Sequence, residues 1–147
     1  MIIRLLLQFI WILVAWTLGF YLHECMHKFE CMRQGGTAEI EIGFYEWKKL
    51  KIPTMCCYCS NAKNYDLVAL AGGLYSGILL MIVAAVWYFI YMPIFVAAFL
   101  VGFVNLGYCL YEWKYLYIWS RDKYMKYHYL LYAVLLGLGL FLTRKVI

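Results

Sequence analysis

The stretch IIRLLLQFIWILVAWTLGFYLHECMH, residues 2–27, decides how the rest of the chain is read. From Ile2 to Leu22 it is nearly all Ile, Leu, Val, Phe and Trp, long enough for a helix that crosses hydrocarbon in roughly 17–25 residues. It then ends on His23-Glu24-Cys25-Met26-His27. Residues four apart share a helix face, so both imidazoles can reach one metal ion, and Glu24 lies close to that ion's open position. Hydrolysis uses this set: Zn²⁺ polarises a carbonyl and acidifies its bound water, while a carboxylate takes the water's proton and passes it to the leaving amine. A metal site is expected inside or just beneath a membrane.

Composition agrees with that address. Of 147 residues, 67% are hydrophobic and 14% charged, and the mean hydropathy is +0.74, against roughly 45–50% apolar residues in a soluble domain. The reading is an α-helical integral membrane protein in contact with the lipid bilayer. The net charge of +5 is gathered in two loops, where topology explains it better than a nucleic-acid partner does. The N-terminal run exceeds the roughly 7–15 apolar residues of a signal peptide and has no small-residue cleavage site. It is therefore read as a retained first span.

Four transmembrane helices are expected, at about 2–27, 67–91, 93–111 and 127–143, within a single domain. Pro93 sits in the first turn of the third, where its missing N–H costs nothing. One loop holds Lys28, Arg33, Lys48, Lys49, Lys51 and Lys63; another holds Lys114, Arg121, Lys123 and Lys126. The opposite side has Arg4, Arg144 and Lys145, which predicts cytoplasmic loops, both termini outside, and the metal motif toward the cytoplasm. Tyr108, Tyr111, Trp113, Tyr115, Tyr117 and Trp119 are expected at headgroup level.

After Gly35-Gly36, which should stop the first helix, Ala38, Ile40, Ile42 and Phe44 alternate with Glu39, Glu41 and Gly43, a period-two strand. Tyr45–Ile52 could pair with it, closed off by Pro53, giving a small β-hairpin over about 37–52. Its free edge, with Ile40 and Ile42, could dock an extended peptide. Ala69-x-x-x-Gly73-x-x-x-Gly77 lets another helix approach closely, within the chain rather than between copies. Of Cys25, Cys31, Cys56, Cys57, Cys59 and Cys109, five fall on or near the cytoplasmic side, so free thiols are expected; lipidation or soft-metal binding of Cys56-Cys57-x-Cys59 stays open.

Catalytic zinc usually takes three protein ligands, and the residues alone leave Asp122, Glu112 and His128 open as the third. The order of elements resembles the site-2 protease family of intramembrane zinc metalloproteases: His23–His27 on a span, Gly35-Gly36 with Thr37–Phe44, Leu70-Ala71-Gly72-Gly73-Leu74, then Asn105-Leu106-Gly107 and Asp122. That resemblance implies a zinc metalloendopeptidase cleaving transmembrane protein or peptide substrates near the cytoplasmic face. It holds one Zn²⁺ on His23, His27 and Asp122, with Glu24 as base and Asn105 near the substrate. Where the family has Ala-Gly-Pro this chain has Ala71-Gly72-Gly73, and Lys123 follows Asp122 where Gly is usual. The alternatives are another membrane zincin with Glu112 as third ligand, and a non-catalytic metal-binding membrane adaptor.

Overall fold

The computed structural model describes residues 2–47, 50–116, 123–124, 127, 130–131 and 133–138. The opening apolar run forms one helix, α1 (Ile2–Arg33), of 32 residues, about 48 Å at 1.5 Å per residue and so longer than a roughly 30 Å hydrocarbon layer. Ile3, Leu6, Phe9, Ile10, Leu13 and Leu18 are exposed along it, an apolar surface suited to lipid. The glycine pair ends α1 as the sequence predicts, through a Schellman turn. Gly35, at φ +83°, donates its N–H to the Met32 carbonyl at 3.0 Å, and Gly36 donates to Cys31 at 3.0 Å.

That turn delivers the chain into an antiparallel ribbon, β1 (Thr37–Trp47) and β2 (Leu50–Ser60). The second strand is longer than expected: it runs through Pro53 instead of stopping there, and contains Cys56, Cys57 and Cys59. The register explains the tolerance. The Cys57 N–H points away from β1, and Pro53, four residues earlier, shares that orientation. Its missing N–H therefore falls on the outer edge, where no ladder bond is lost.

Pairing Thr37 with Ser60 brings both ribbon stems back beside the end of α1. There Cys31 and Cys59 form a disulfide, with Cα atoms 6.0 Å apart. This corrects the free-thiol expectation for these two; Cys25, Cys56, Cys57 and Cys109 are free. The same corner is tied by Glu30, fully buried, which accepts from Arg33 at 2.8 and 2.7 Å and from Gln34 at 2.7 Å. Gln34 in turn accepts the Asn64 N–H at 2.6 Å.

Asn64 caps α2 (Tyr65–Trp87), its side chain accepting the Leu67 N–H at 3.0 Å. A short turn leads to α3 (Met92–Tyr115), with Pro93 in the first turn. The small residues of α2 are consumed inside the chain: a Cβ on Gly73 would lie 2.6 Å from the Asn105 carbonyl, and one on Gly77 2.7 Å from Leu106. Ser76 and Asn105 join the two helices by a hydrogen bond of 3.1 Å. These three helices are long and apolar enough to cross a membrane. Helical residues recur between 123 and 138.

Candidate metal centre

Alternating chain direction places the C-terminal ends of α1 and α3 and the N-terminal end of α2 at one end of the bundle. His23 and His27, one turn apart on α1, are both buried, and their Nε2 atoms lie 3.1 Å apart. From α3 comes Glu112, also buried. Its carboxylate is 3.0 Å from His23 Nε2 and 3.5 Å from His27 Nε2. All three ligand atoms lie within 4.8 Å of one another, so the group could hold a metal ion.

Proton accounting supports that use. His27 Nδ1 lies 2.7 Å from the Val68 carbonyl of α2. A carbonyl only accepts, so in the neutral ring Nδ1 carries the proton and Nε2 presents its lone pair inward. The carboxylate also accepts. With neutral rings, only His23 Nε2 has a proton to offer, and one proton cannot serve three close contacts. A cation bound by all three donors satisfies them together, and the Val68 bond is the outer partner that typically orients a metal-binding histidine. His23 Nδ1 is buried without a hydrogen-bond partner among the described residues.

Glu24 lies beside this group, 8% exposed. Its Oε2 accepts the Cys57 N–H of β2 at 2.7 Å. A cleft opens here, lined by His23, Glu24, His27, Glu112, Phe20, Leu116, Tyr108 and Tyr124, and on the ribbon side by Pro53–Cys57. Burial comes first and the Glu24 charge second in pushing the Cys57 thiol up to about 12. Cys57 therefore presents a neutral sulfhydryl near the carboxylate.

The sequence-predicted residues divide clearly. His23, Glu24 and His27 come together as expected. Glu112, open as an alternative, completes the ligand group among the described residues; Asp122 and His128 lie outside them. Ile40 and Ile42 belong to β1 and do not line the cleft, whose ribbon wall is β2. Asn105 is 2% exposed and donates to Ser76 Oγ, an interhelical bond away from the cleft. Tyr108, expected at headgroup level, is turned inward and 1% exposed. Tyr124 was not foreseen, although the i, i+4 spacing of Tyr108 and Glu112 puts both on one face of α3.

The chain matches no protein-family profile, no curated protein and no solved structure.

Proposed function

We propose that this chain is a membrane zinc metalloendopeptidase, resembling site-2 proteases in its pentapeptide and order of elements, with His23, His27 and Glu112 as ligands. The observation that carries the reading is the convergence of three buried donors beside Glu24 in an open cleft. Zinc bound there would supply Lewis acidity and a water of lowered pKa. Glu24 takes the proton of the attacking water and delivers it to the leaving amine. The Cys57 N–H holds one oxygen of Glu24, leaving the other for proton transfer.

The substrate class follows from where the site lies. His23 is 17 residues from Leu6, where the first apolar window begins, or about 25 Å along the helix, near the far boundary of the hydrocarbon. A transmembrane segment presented at that depth must unwind, because helical carbonyls are already hydrogen-bonded. The outer edge of β2 offers the N–H and C=O of Met55 and the C=O of Cys57 to such an extended segment. Four spans, basic loops in the cytoplasm and the cleft on that face complete the reading.

Zinc content with activity tests it. Zinc should be stoichiometric in the purified protein, lost in His23→Ala, His27→Ala and Glu112→Gln, and retained in Glu24→Gln with cleavage of a transmembrane peptide abolished. Protein free of zinc after metal-replete purification refutes the reading. Zinc retained with no peptide cleavage by the wild-type chain leaves a metal-binding adaptor in its place.

A further inference from the structure

Tyr124 and Tyr108 stand beside the ligand group with no part in the mechanism above. The Tyr124 hydroxyl lies 3.3 Å from Glu112 Oε1, and the Tyr108 hydroxyl lies 2.5 Å from that of Tyr124. Directions follow from proton counts. A carboxylate can only accept, so Tyr124 gives its single proton to Glu112; Tyr108 must then donate to the Tyr124 oxygen. The result is a one-way chain, Tyr108 to Tyr124 to Glu112. It is buried throughout, Tyr108 at 1% and Tyr124 at 8% exposure, where each such bond is strong and costly to leave unmade. Tyr111 fixes the donor from the other side, giving its hydroxyl proton to the Tyr124 backbone carbonyl at 2.8 Å.

The two oxygens of Glu112 are thereby made unequal. Oε1 accepts from the Tyr124 hydroxyl at 3.3 Å and is the oxygen that faces both imidazoles, 3.0 Å from His23 Nε2 and 3.5 Å from His27 Nε2. Oε2 is buried without a hydrogen-bond partner among the described residues and lies 3.0 Å from His23 Nε2. The oxygen that meets both histidines is therefore the one that the Tyr124 hydroxyl holds in place.

We propose that Tyr124, backed by Tyr108, is the positioning residue of the metal centre: its hydroxyl holds the Glu112 carboxylate in the orientation that turns Oε1 toward both imidazoles. This rests on the metal-site reading. Without that hydroxyl the carboxylate can turn about its last bond, and the oxygen set against the two imidazoles is no longer held.

The test uses purified full-length protein, with zinc affinity measured by chelator competition and coordination by the visible spectrum of the Co²⁺-substituted form. Tyr124→Phe should weaken zinc binding about 10- to 100-fold, the range for loss of an outer partner. It should also change the Co²⁺ spectrum, because the carboxylate oxygen facing the imidazoles is no longer fixed. Tyr108→Phe, which leaves the Tyr124 donor in place, should show a smaller loss in the same direction. Helical circular dichroism of both variants should match wild type, separating positioning from misfolding. Should Tyr124→Phe misfold, Tyr108→Phe carries the test, and an unchanged zinc affinity there overturns the proposal. Wild-type affinity and an unaltered Co²⁺ spectrum in folded Tyr124→Phe overturn it while leaving the metal site standing. A wild-type chain that binds neither metal overturns both.

Discussion

Replacing Gly72 by alanine should abolish metal binding without touching a ligand. A Cβ at Gly72 would lie 2.1 Å from Nε2, 2.3 Å from Cε1 and 2.6 Å from Cδ2 of His27. Those three distances put it over the face of the ring. Ordinary contact begins near 3.5 Å, so the ring must retreat by about 1.4 Å. Two restraints oppose that retreat. His27 is fixed to α1 one turn from His23, and its Nδ1 is hydrogen-bonded to Val68, which sits one turn before Gly72 on the helix that carries the new methyl. Withdrawing α2 relieves the clash only by pulling Val68 away from the ring. Metal sites tolerate about 0.2 Å of error in ligand distance, so either movement removes His27 as a ligand. Zinc affinity should fall at least about 100-fold, or about 2.7 kcal/mol. Chelator competition on the purified variant measures it, with circular dichroism confirming the fold. Gly43→Ala serves as the control, because a Cβ there meets nothing within 4 Å. Gly72→Ala binding zinc within threefold of wild type would refute the reasoning.

Other consequences concern the ribbon and the base. Glu24→Gln should keep wild-type zinc affinity and lose cleavage by at least about 100-fold, the lower range for a general base; equal losses of zinc and activity would point to a ligand role instead. Met55→Pro removes an outward N–H from β2, as Pro53 already does, so cleavage should fall while zinc stays bound, and unchanged cleavage counts against strand docking. Measured against the disulfide-bonded protein, Cys59→Ser opens a loop spanning a sequence separation of 28. Chain entropy puts the loss of ribbon stability at about 3.5 kcal/mol, read as faster hydrogen exchange across β1 and β2; unchanged exchange would show that the tether adds nothing. In a Cys25→Ser/Cys56→Ser background, alkylation of Cys57 should climb with pH and not level off below about pH 11. Its neutral form is favoured up to about 12, whereas an ordinary thiol near 8.5 would plateau earlier; a plateau by pH 10 would contradict the burial.

The sequence made some of this legible and hid the rest for identifiable reasons. His23, Glu24 and His27 could be read because helix periodicity alone places them. The third member of the buried group could not, because it depends on the depth at which another helix ends. Glu112 reaches the site by lying 20 residues beyond Met92, the start of α3, a depth close to that of His23 on α1. Alternation identified the ribbon through Ala38, Ile40, Ile42 and Phe44, but period two distinguishes faces and not edges, so it could not tell which strand would meet Glu24. Pro53 was misleading for the same reason: a proline ends a central strand and is harmless on an outer edge. Gly72 and Gly73 read alike as small residues for helix packing. One meets α3 and the other meets a histidine ring. The Val68 carbonyl and Cys57 N–H are backbone groups and leave no mark in side-chain chemistry.

The Cys31–Cys59 bond joins the end of the helix that carries His23 and His27 to the strand that walls the cleft, two residues from the amide that grips Glu24. Its state depends on which face of the bilayer the cleft looks toward. Glutathione and thioredoxin open such pairs on the cytoplasmic side, while an extracytoplasmic face leaves them closed. Sidedness and the stiffness of the cleft wall are therefore recorded in the same two sulfur atoms. Inserted with its basic loops inward, the chain carries a wall hinged at its stem; inserted the other way, it carries a clamped one, and a thiol count on intact vesicles reads out the difference.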